Sequence, residues 1–181
     1  TTWLQFNHQL YLITGESKYL EQIENTVYNH LIGAENPQTG CVSYYTPLMG
    51  KKPFTCFITC CQSSVPRGFA LVPGFTFGLL NNTPAVLLYE PAVYKYNIKI
   101  PGKKDIGLTL KLEGNFPESG DFTLTVNATA AAEMPLSLRV PAWCTHFTAK
   151  AGKEVYTGTP DQLVTISRKW KQGEKITIHF D

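Results

Sequence analysis

The stretch Cys56-Phe57-Ile58-Thr59-Cys60-Cys61-Gln62-Ser63-Ser64 holds the densest potential chemistry in the chain. It follows a loop rich in Pro and Gly and runs into a segment with helical patterning. A thiolate at a helix N-terminus is stabilised by the partial positive charge there, which favours its use as a nucleophile. Three thiols within six residues also offer zinc soft ligands, at sulfur distances of about 2.3 Å. The spacing C-x3-C-C is not a standard zinc pattern, and no histidine lies close in sequence. Buried, inert cysteines therefore stay open as a third reading.

Other candidates are weaker. His8 and His30 sit off the apolar stripes of helical segments, His179 on the polar side of a strand pattern, and His146 in a turn. All four read as solvated surface histidines. Glu21, Glu24 and Glu35 could supply a hydrolase pair, but solvated helix faces are the default. Tyr44, Tyr45, Phe54 and Phe57 crowd the loop before the cysteines. Such rings stack on sugars or fill cores. No H-E-x-x-H, P-loop, G-x-G-x-x-G or G-x-S-x-G motif occurs. Asn81-Asn82-Thr83 and Asn127-Ala128-Thr129 are formal glycosylation sequons and carry little weight without a secretory signal.

The elements that would position these groups fall into two textures. Trp3, Phe6, Leu10 and Ile13 step by three and four, the face of one helix. Gly15 is its stop. Ser17 is a candidate N-cap for a second helix carrying Leu20, Ile23, Val27 and Leu31. The two make an αα-hairpin. Residues 35–59 read as loop, with a short extended piece near 42–45. A third helix is expected over 63–77, with Pro66 in its first turn and Pro73 ending or kinking it. From Ala85 the period changes to two. Tyr94, Tyr96, Ile98 and Ile100 alternate with polar residues, as do Ile106 to Leu112, Phe122 to Ala128, Leu136 to Val140 and Ile176 to Phe180. Half-buried antiparallel strands read this way. With 85–89, 147–151 and 164–168 they make about eight strands, enough for a sandwich. The expected domains are 1–80 and 81–181. A hairpin plus one broken helix cannot bury its apolar faces alone, so partners for those faces are expected on the sandwich or on further helices.

Composition fits a globular chain. The 181 residues are 43% hydrophobic and 17% charged, with a net charge of +2. The lysines are scattered, which argues against nucleic acid as a partner. No apolar run reaches the ~18 residues of a membrane span. The first residues carry no signal-peptide pattern and do not read as a natural start, so a fragment is expected. Five cysteines make a poor disulfide framework, and reduced or metal-bound thiols fit better. Cys144 reads as structural.

Several stretches in order carry a family resemblance: Gln9-Leu10 through Thr14-Gly15-Glu16, Tyr28-Asn29-His30-Leu31, Tyr44-Tyr45-Thr46-Pro47-Leu48, and Cys60-Cys61. They continue with Leu138-Arg139-Val140-Pro141-Ala142-Trp143-Cys144 and Ile166-Ser167-Arg168-Lys169-Trp170-Lys171-Gln172-Gly173-Glu174. Together they resemble the C-terminal part of the β-L-arabinofuranosidase-like glycoside hydrolases, family 127. That resemblance implies an α+β chain in which the terminal helices of a truncated (α/α)6 barrel precede an antiparallel β-sandwich. It implies retaining hydrolysis of a carbohydrate substrate, with Cys60 as nucleophile. Zinc in the full-length parent would be held by Cys60 and Cys61 together with a Glu-X-Cys motif, expected before Thr1. A separate Glu upstream would be the acid/base. Where members often follow the pair with Pro-Pro, this chain has Gln62-Ser63-Ser64. A bacterial cytoplasmic or periplasmic setting is implied as well. The fragment itself is expected to be inactive and to self-associate through exposed helix faces. The alternative is a non-catalytic sandwich that binds carbohydrate or another domain. A structural zinc site without chemistry is the third possibility.

Overall fold

The computed structural model describes residues 1–57, 59–80, 83–99 and 105–181. Ile58, Asn81-Asn82 and Ile100, which figured in the motifs and alternations above, lie outside the described residues, as do Lys103-Lys104 among the scattered lysines. The chain divides into two compact units, Thr1–Gly74 and Phe75–Asp181.

In the first unit, α1 (Thr2–Thr14) and α2 (Ser17–Asn25) form the expected hairpin. Gly15 turns it with a left-handed φ of 69°, and its N–H donates to the Tyr11 carbonyl. Glycine takes that conformation without a Cβ clash. Ser17 opens α2 but makes no side-chain capping bond. The stripe on α2 is buried as its spacing predicts, at Leu20, Ile23, Val27 and Leu31.

The stripe on α1 is not the face this unit buries. Leu4, Asn7 and Tyr11 are buried, whereas Trp3, Phe6 and Ile13 are exposed. The inward face instead carries polar groups, and Asn7 Nδ2 donates to the Trp3 carbonyl at 2.8 Å. Glu24, expected on a solvated face, is also buried.

The second helix continues as a π-helical turn over Thr26–Leu31 and ends in α3 (Ile32–Ala34). A loop follows in which Val42 bridges both Glu35 and Thr55, and no strand forms over 42–45. The third helix, α4, runs over Cys60–Leu71, three residues earlier than expected. Pro66 is therefore inside it rather than in its first turn. Pro73 does end it, opening the short α5 (Pro73–Thr76). Gly68 lets α4 approach the π turn closely, because a Cβ there would lie 2.7 Å from Leu31 Cδ2.

The second unit is a sandwich of two sheets. One has β1 (Phe77–Leu80), β2 (Thr83–Val86), β6 (Ala132–Arg139) and β9 (Leu163–Trp170) in the order β1-β2-β6-β9. The other has β3 (Ala92–Ile98), β4 (Ile106–Gly114), β5 (Asp121–Ala128), β10 (Glu174–Phe180), β7 (Phe147–Ala151) and β8 (Glu154–Gly158) in the order β3-β4-β5-β10-β7-β8.

Strands β4, β5 and β10 alternate as read, with Leu108, Leu110, Leu124, Val126, Ile176 and Ile178 inside. The described strands number ten rather than about eight, β1 and β8 being the two not read from sequence, and three further details differ. The pairing of β2 with β6 is parallel. On the edge strand β3 only Tyr96 is fully buried, and Tyr94 is exposed because no strand covers its outer side. Ser137 and Arg139, read as the polar face of β6, are buried: Ser137 shares a 2.9 Å hydrogen bond with Thr165, and Arg139 Nη1 donates to the Leu87 carbonyl at 3.3 Å. No described helix is long and apolar enough to cross a membrane.

Candidate thiol site

Helix α4 sets the geometry of the thiol pair. Thr59 is its N-cap, and its hydroxyl accepts from the Gln62 backbone N–H at 3.2 Å. The sequence Thr59-Cys60-Cys61-Gln62 has the T-x-x-Q form of a capping box, a signal that would have placed the helix start correctly. Cys60 and Cys61 thus occupy the first turn, beside backbone N–H groups that lack helical partners. Cys60 is exposed and Cys61 half-buried, which removes the reading as buried, inert cysteines. Their sulfurs are 3.9 Å apart.

Burial first, and then the neighbouring Cys60 sulfur, push the Cys61 thiol up. Two adjacent thiols cannot both ionise cheaply, because the second charge repels the first. A cation between them would reverse that logic. Two zinc–sulfur bonds of about 2.3 Å at a tetrahedral angle separate the sulfurs by about 3.8 Å, so the pair fits two corners of such a site. Among the described residues no group of three or more His, Cys, Asp or Glu side chains could hold a metal.

The aromatic loop comes to the pair. The Tyr44 phenol is pushed up first by the Cys60 charge, then by a hydrogen bond with Cys60, and further by Tyr45. Tyr44 and Tyr45 meet edge to face at 4.7 Å, and both are more than half exposed. Ser43 Oγ donates to the Tyr45 carbonyl beneath them. Sequence spacing did not tie these rings to the thiols, because the approach depends on how residues 42–55 fold back.

The third thiol of the cluster does not join the pair. Cys56 is bonded to Cys41, against the expectation of reduced or metal-bound thiols. The bridge between Val42 and Thr55 brings the two cysteines face to face. Cys144 is buried, its thiol pointing to the His146 carbonyl at 3.3 Å, which matches its structural reading.

The histidines stay outside the thiol cluster's described contacts. His179 hydrogen-bonds Asp121 at 2.8 Å and Asp181 at 3.0 Å, and His146 lies 3.6 Å from Asp181. His8 is half-buried on α1, and that burial lowers its pKa.

The motifs of the sandwich are packing motifs. Trp170 Nε1 donates to the Met134 carbonyl at 2.9 Å, and Arg168 Nη1 to the Ala151 carbonyl at 2.8 Å. Asn127 Oδ1, in the second sequon, accepts from the Gly173 N–H at 2.9 Å.

Two family models match the chain: the GH127 catalytic domain of beta-L-arabinofuranosidase over residues 2–74 and the GH127 middle domain over 86–181. No curated protein matches it. Among solved structures it is similar to a glycoside hydrolase at 22% identity and a TM-score of 0.83, covering 99% of this chain and 31% of that one. A GH127 beta-L-arabinofuranosidase from Geobacillus stearothermophilus T6 gives 21% identity and 0.83, over 99% of this chain and 30% of the other. A GH127 beta-arabinofuranosidase gives 25% and 0.80, over 99% and 31%. The chain thus spans less than a third of these relatives. Those likenesses carry the fold, and the two models together carry the family: this chain belongs to the GH127 beta-L-arabinofuranosidase family.

Proposed function

We propose that the chain is the end of the catalytic domain, with the sandwich that follows it, of a retaining glycoside hydrolase acting on arabinofuranosides or related sugars. Cys60 is the nucleophile. The observation that carries this reading is the Cys60–Cys61 pair in the first turn of α4, with Cys60 exposed and Tyr44 beside it.

In the first step the Cys60 sulfur attacks the anomeric carbon and the bond to the leaving oxygen breaks. A carboxylic acid protonates that oxygen. In the second step water, deprotonated by the same carboxylate, displaces the sulfur. Two inversions give net retention. The carboxyl group is the Glu that the resemblance places upstream of Thr1. Zinc, when bound, would keep its thiol ligands deprotonated, and Cys60 and Cys61 would hold it with a Glu-X-Cys motif of the same upstream segment. Tyr44 and Tyr45 present ring faces and hydroxyls of the kind that meet sugars. The apolar face of α1 at Trp3, Phe6 and Ile13 is what further helices of an (α/α)6 barrel would cover.

The test is turnover of an aryl arabinofuranoside by the full-length protein. Cys60→Ala should lower it about 10,000-fold or more, as loss of a nucleophile does. Full activity in that variant would refute the nucleophile assignment. The 181-residue chain alone should be inactive. Turnover within about 100-fold of the parent would refute the need for the upstream acid.

A second reading, a carbohydrate-binding sandwich, rests on a groove of about 580 Å³ across the outer face of the six-stranded sheet. Glu113, Thr123, Thr177, Lys150 and Val155 form one row across it. Retention of the chain on an arabinan column, abolished by Thr177→Val and not by Cys60→Ala, would favour it.

A further inference from the structure

The segment between Cys41 and Cys56 has little core of its own. Val42 and Ser43 are buried, but Tyr44, Tyr45, Leu48, Met49 and Phe54 are exposed. Its base is closed by the paired backbone bonds of Val42 and Thr55, at 3.3 and 3.0 Å. It is also tied by Ser43 N–H to the Ala34 carbonyl at 2.8 Å and by Lys52 Nζ to the Gly33 carbonyl at 2.6 Å. Beside those few bonds lies the Cys41–Cys56 disulfide, with Cys41 buried and Cys56 exposed. A loop with so little buried surface depends on its covalent closure, because opening it restores chain freedom at little cost in contacts. What the closure holds in place is the exposed Tyr44-Tyr45 pair, with Tyr44 beside Cys60.

We propose that the Cys41–Cys56 disulfide is a reducible strap, opened by a dithiol at Cys56, whose reduction releases residues 42–55 and widens access to Cys60.

The exchange runs through the exposed sulfur. A thiolate of the dithiol attacks Cys56 Sγ and forms a mixed disulfide, while Cys41 leaves as a thiolate and takes up a proton. The second thiol of the reductant then attacks its own sulfur in that mixed disulfide and frees Cys56. Two electrons pass to the protein pair, and the dithiol becomes a disulfide. This device stands on the thiol geometry and is independent of whether Cys60 acts on sugars.

The test uses the 181-residue chain, purified without reductant and kept in chelator. Alkylation under denaturing conditions should label Cys60, Cys61 and Cys144, with a linked Cys41–Cys56 peptide recovered by mass. Labelling of all five cysteines overturns the proposal. The rates at which Cys60 reacts with a bulky and with a small maleimide are then measured, and their ratio separates access from thiolate content. The ratio should rise about tenfold after reduction with dithiothreitol and its anaerobic removal, or in the Cys41→Ser/Cys56→Ser variant, as expected for local opening of a loop. An unchanged ratio overturns the proposal. Hydrogen exchange should quicken at Val42 and Thr55 while Ile23 and Val27 stay protected. Loss of protection at those two also overturns it, because the bond would then hold the whole unit rather than the loop. If the double variant fails to fold, the reduced wild-type chain gives the same reading.

Discussion

The two units treat their large apolar residues in opposite ways. In the sandwich, Leu110, Leu124, Val126, Ile166 and Ile176 are completely buried, each strand packing on partners from its own unit. In the helical unit Trp3 is 51% exposed, Ile13 79% and Leu48 fully. Both units come from similarly apolar sequence, so composition is not the difference. A strand with period two has one face to bury, and two sheets meeting face to face satisfy each other. A short hairpin with one further helix has more apolar surface than partners, and its inward face is taken by Leu4, Asn7 and Tyr11. The surplus on α1 supports the reading in which more helices cover it.

The sharpest way to break this contrast is to remove one tryptophan from each unit. Trp170 is buried and hydrogen-bonded to Met134. Trp170→Ala should cost the sandwich about 3–5 kcal/mol, the usual range for a buried aromatic. Trp3→Ala, at an exposed position, should change stability by about 0.5 kcal/mol or less. Urea titrations of the two variants check both figures. Equal losses would mean that α1 buries Trp3 in solution, for example against a second copy of the chain.

What could be read from sequence follows the same division. Strands β4, β5 and β10 were legible because period two survives wherever one face is buried. The burial of Ser137 and Arg139 was not, because their partners lie far off in sequence: Ser137 shares a hydrogen bond with Thr165, Tyr89 donates to the Arg139 carbonyl at 2.8 Å, and Arg139 donates to Leu87. In the helical unit Gly15 and the α2 stripe were legible as local signals. The π turn over Thr26–Leu31 has no residue signature, and it forms where Gly68 of α4 packs on Leu31. Cys60 and Cys61 stood out by type and spacing. The partnership of Cys41 with Cys56 did not, because it is made by an isolated bridge rather than by a turn motif.

A smaller effect separates the thiol pair from the body of its unit. Thr59 caps α4 through its hydroxyl. Thr59→Ala should cost about 1 kcal/mol, typical of a lost N-cap. Thr59→Ser keeps the acceptor and should restore most of that. If neither variant shifts the urea midpoint of the helical unit, the cap is idle and packing at Gly68 alone holds α4. Labelling of Cys60 should quicken in Thr59→Ala, since fraying begins at that turn, while the sandwich stays unchanged.

The smallest effect compares two histidines, one from each unit. His179 is raised above 6.5, first by its hydrogen bond to Asp121 and further by Asp181. Asp121 is lowered below 3.8, first by that same bond and then by Ser119. The raised His179 contributes stability that is fully present below pH 6.5 and lost as pH rises through its folded value. The lowered Asp121 contributes above pH 3.8 and loses it as pH falls through its folded value. The pair therefore helps most between about pH 4 and 6.5, and only slightly, because both groups are exposed and screened by salt. His8 moves the other way, lowered by burial on α1. Its unfolded form takes up protons first, so it costs stability as pH falls below 6.5. Proton NMR titration should place the His179 midpoint above 6.5 and that of His8 below it. Asp121→Asn should bring His179 back toward 6.5 and leave His8 where it was, whereas 0.5 M salt should shrink the first shift and spare the second. A His8 midpoint that follows salt would mean that charge, not burial, sets it, and the helical unit would then be more open around α1 than its packing at Leu4, Asn7 and Tyr11 allows.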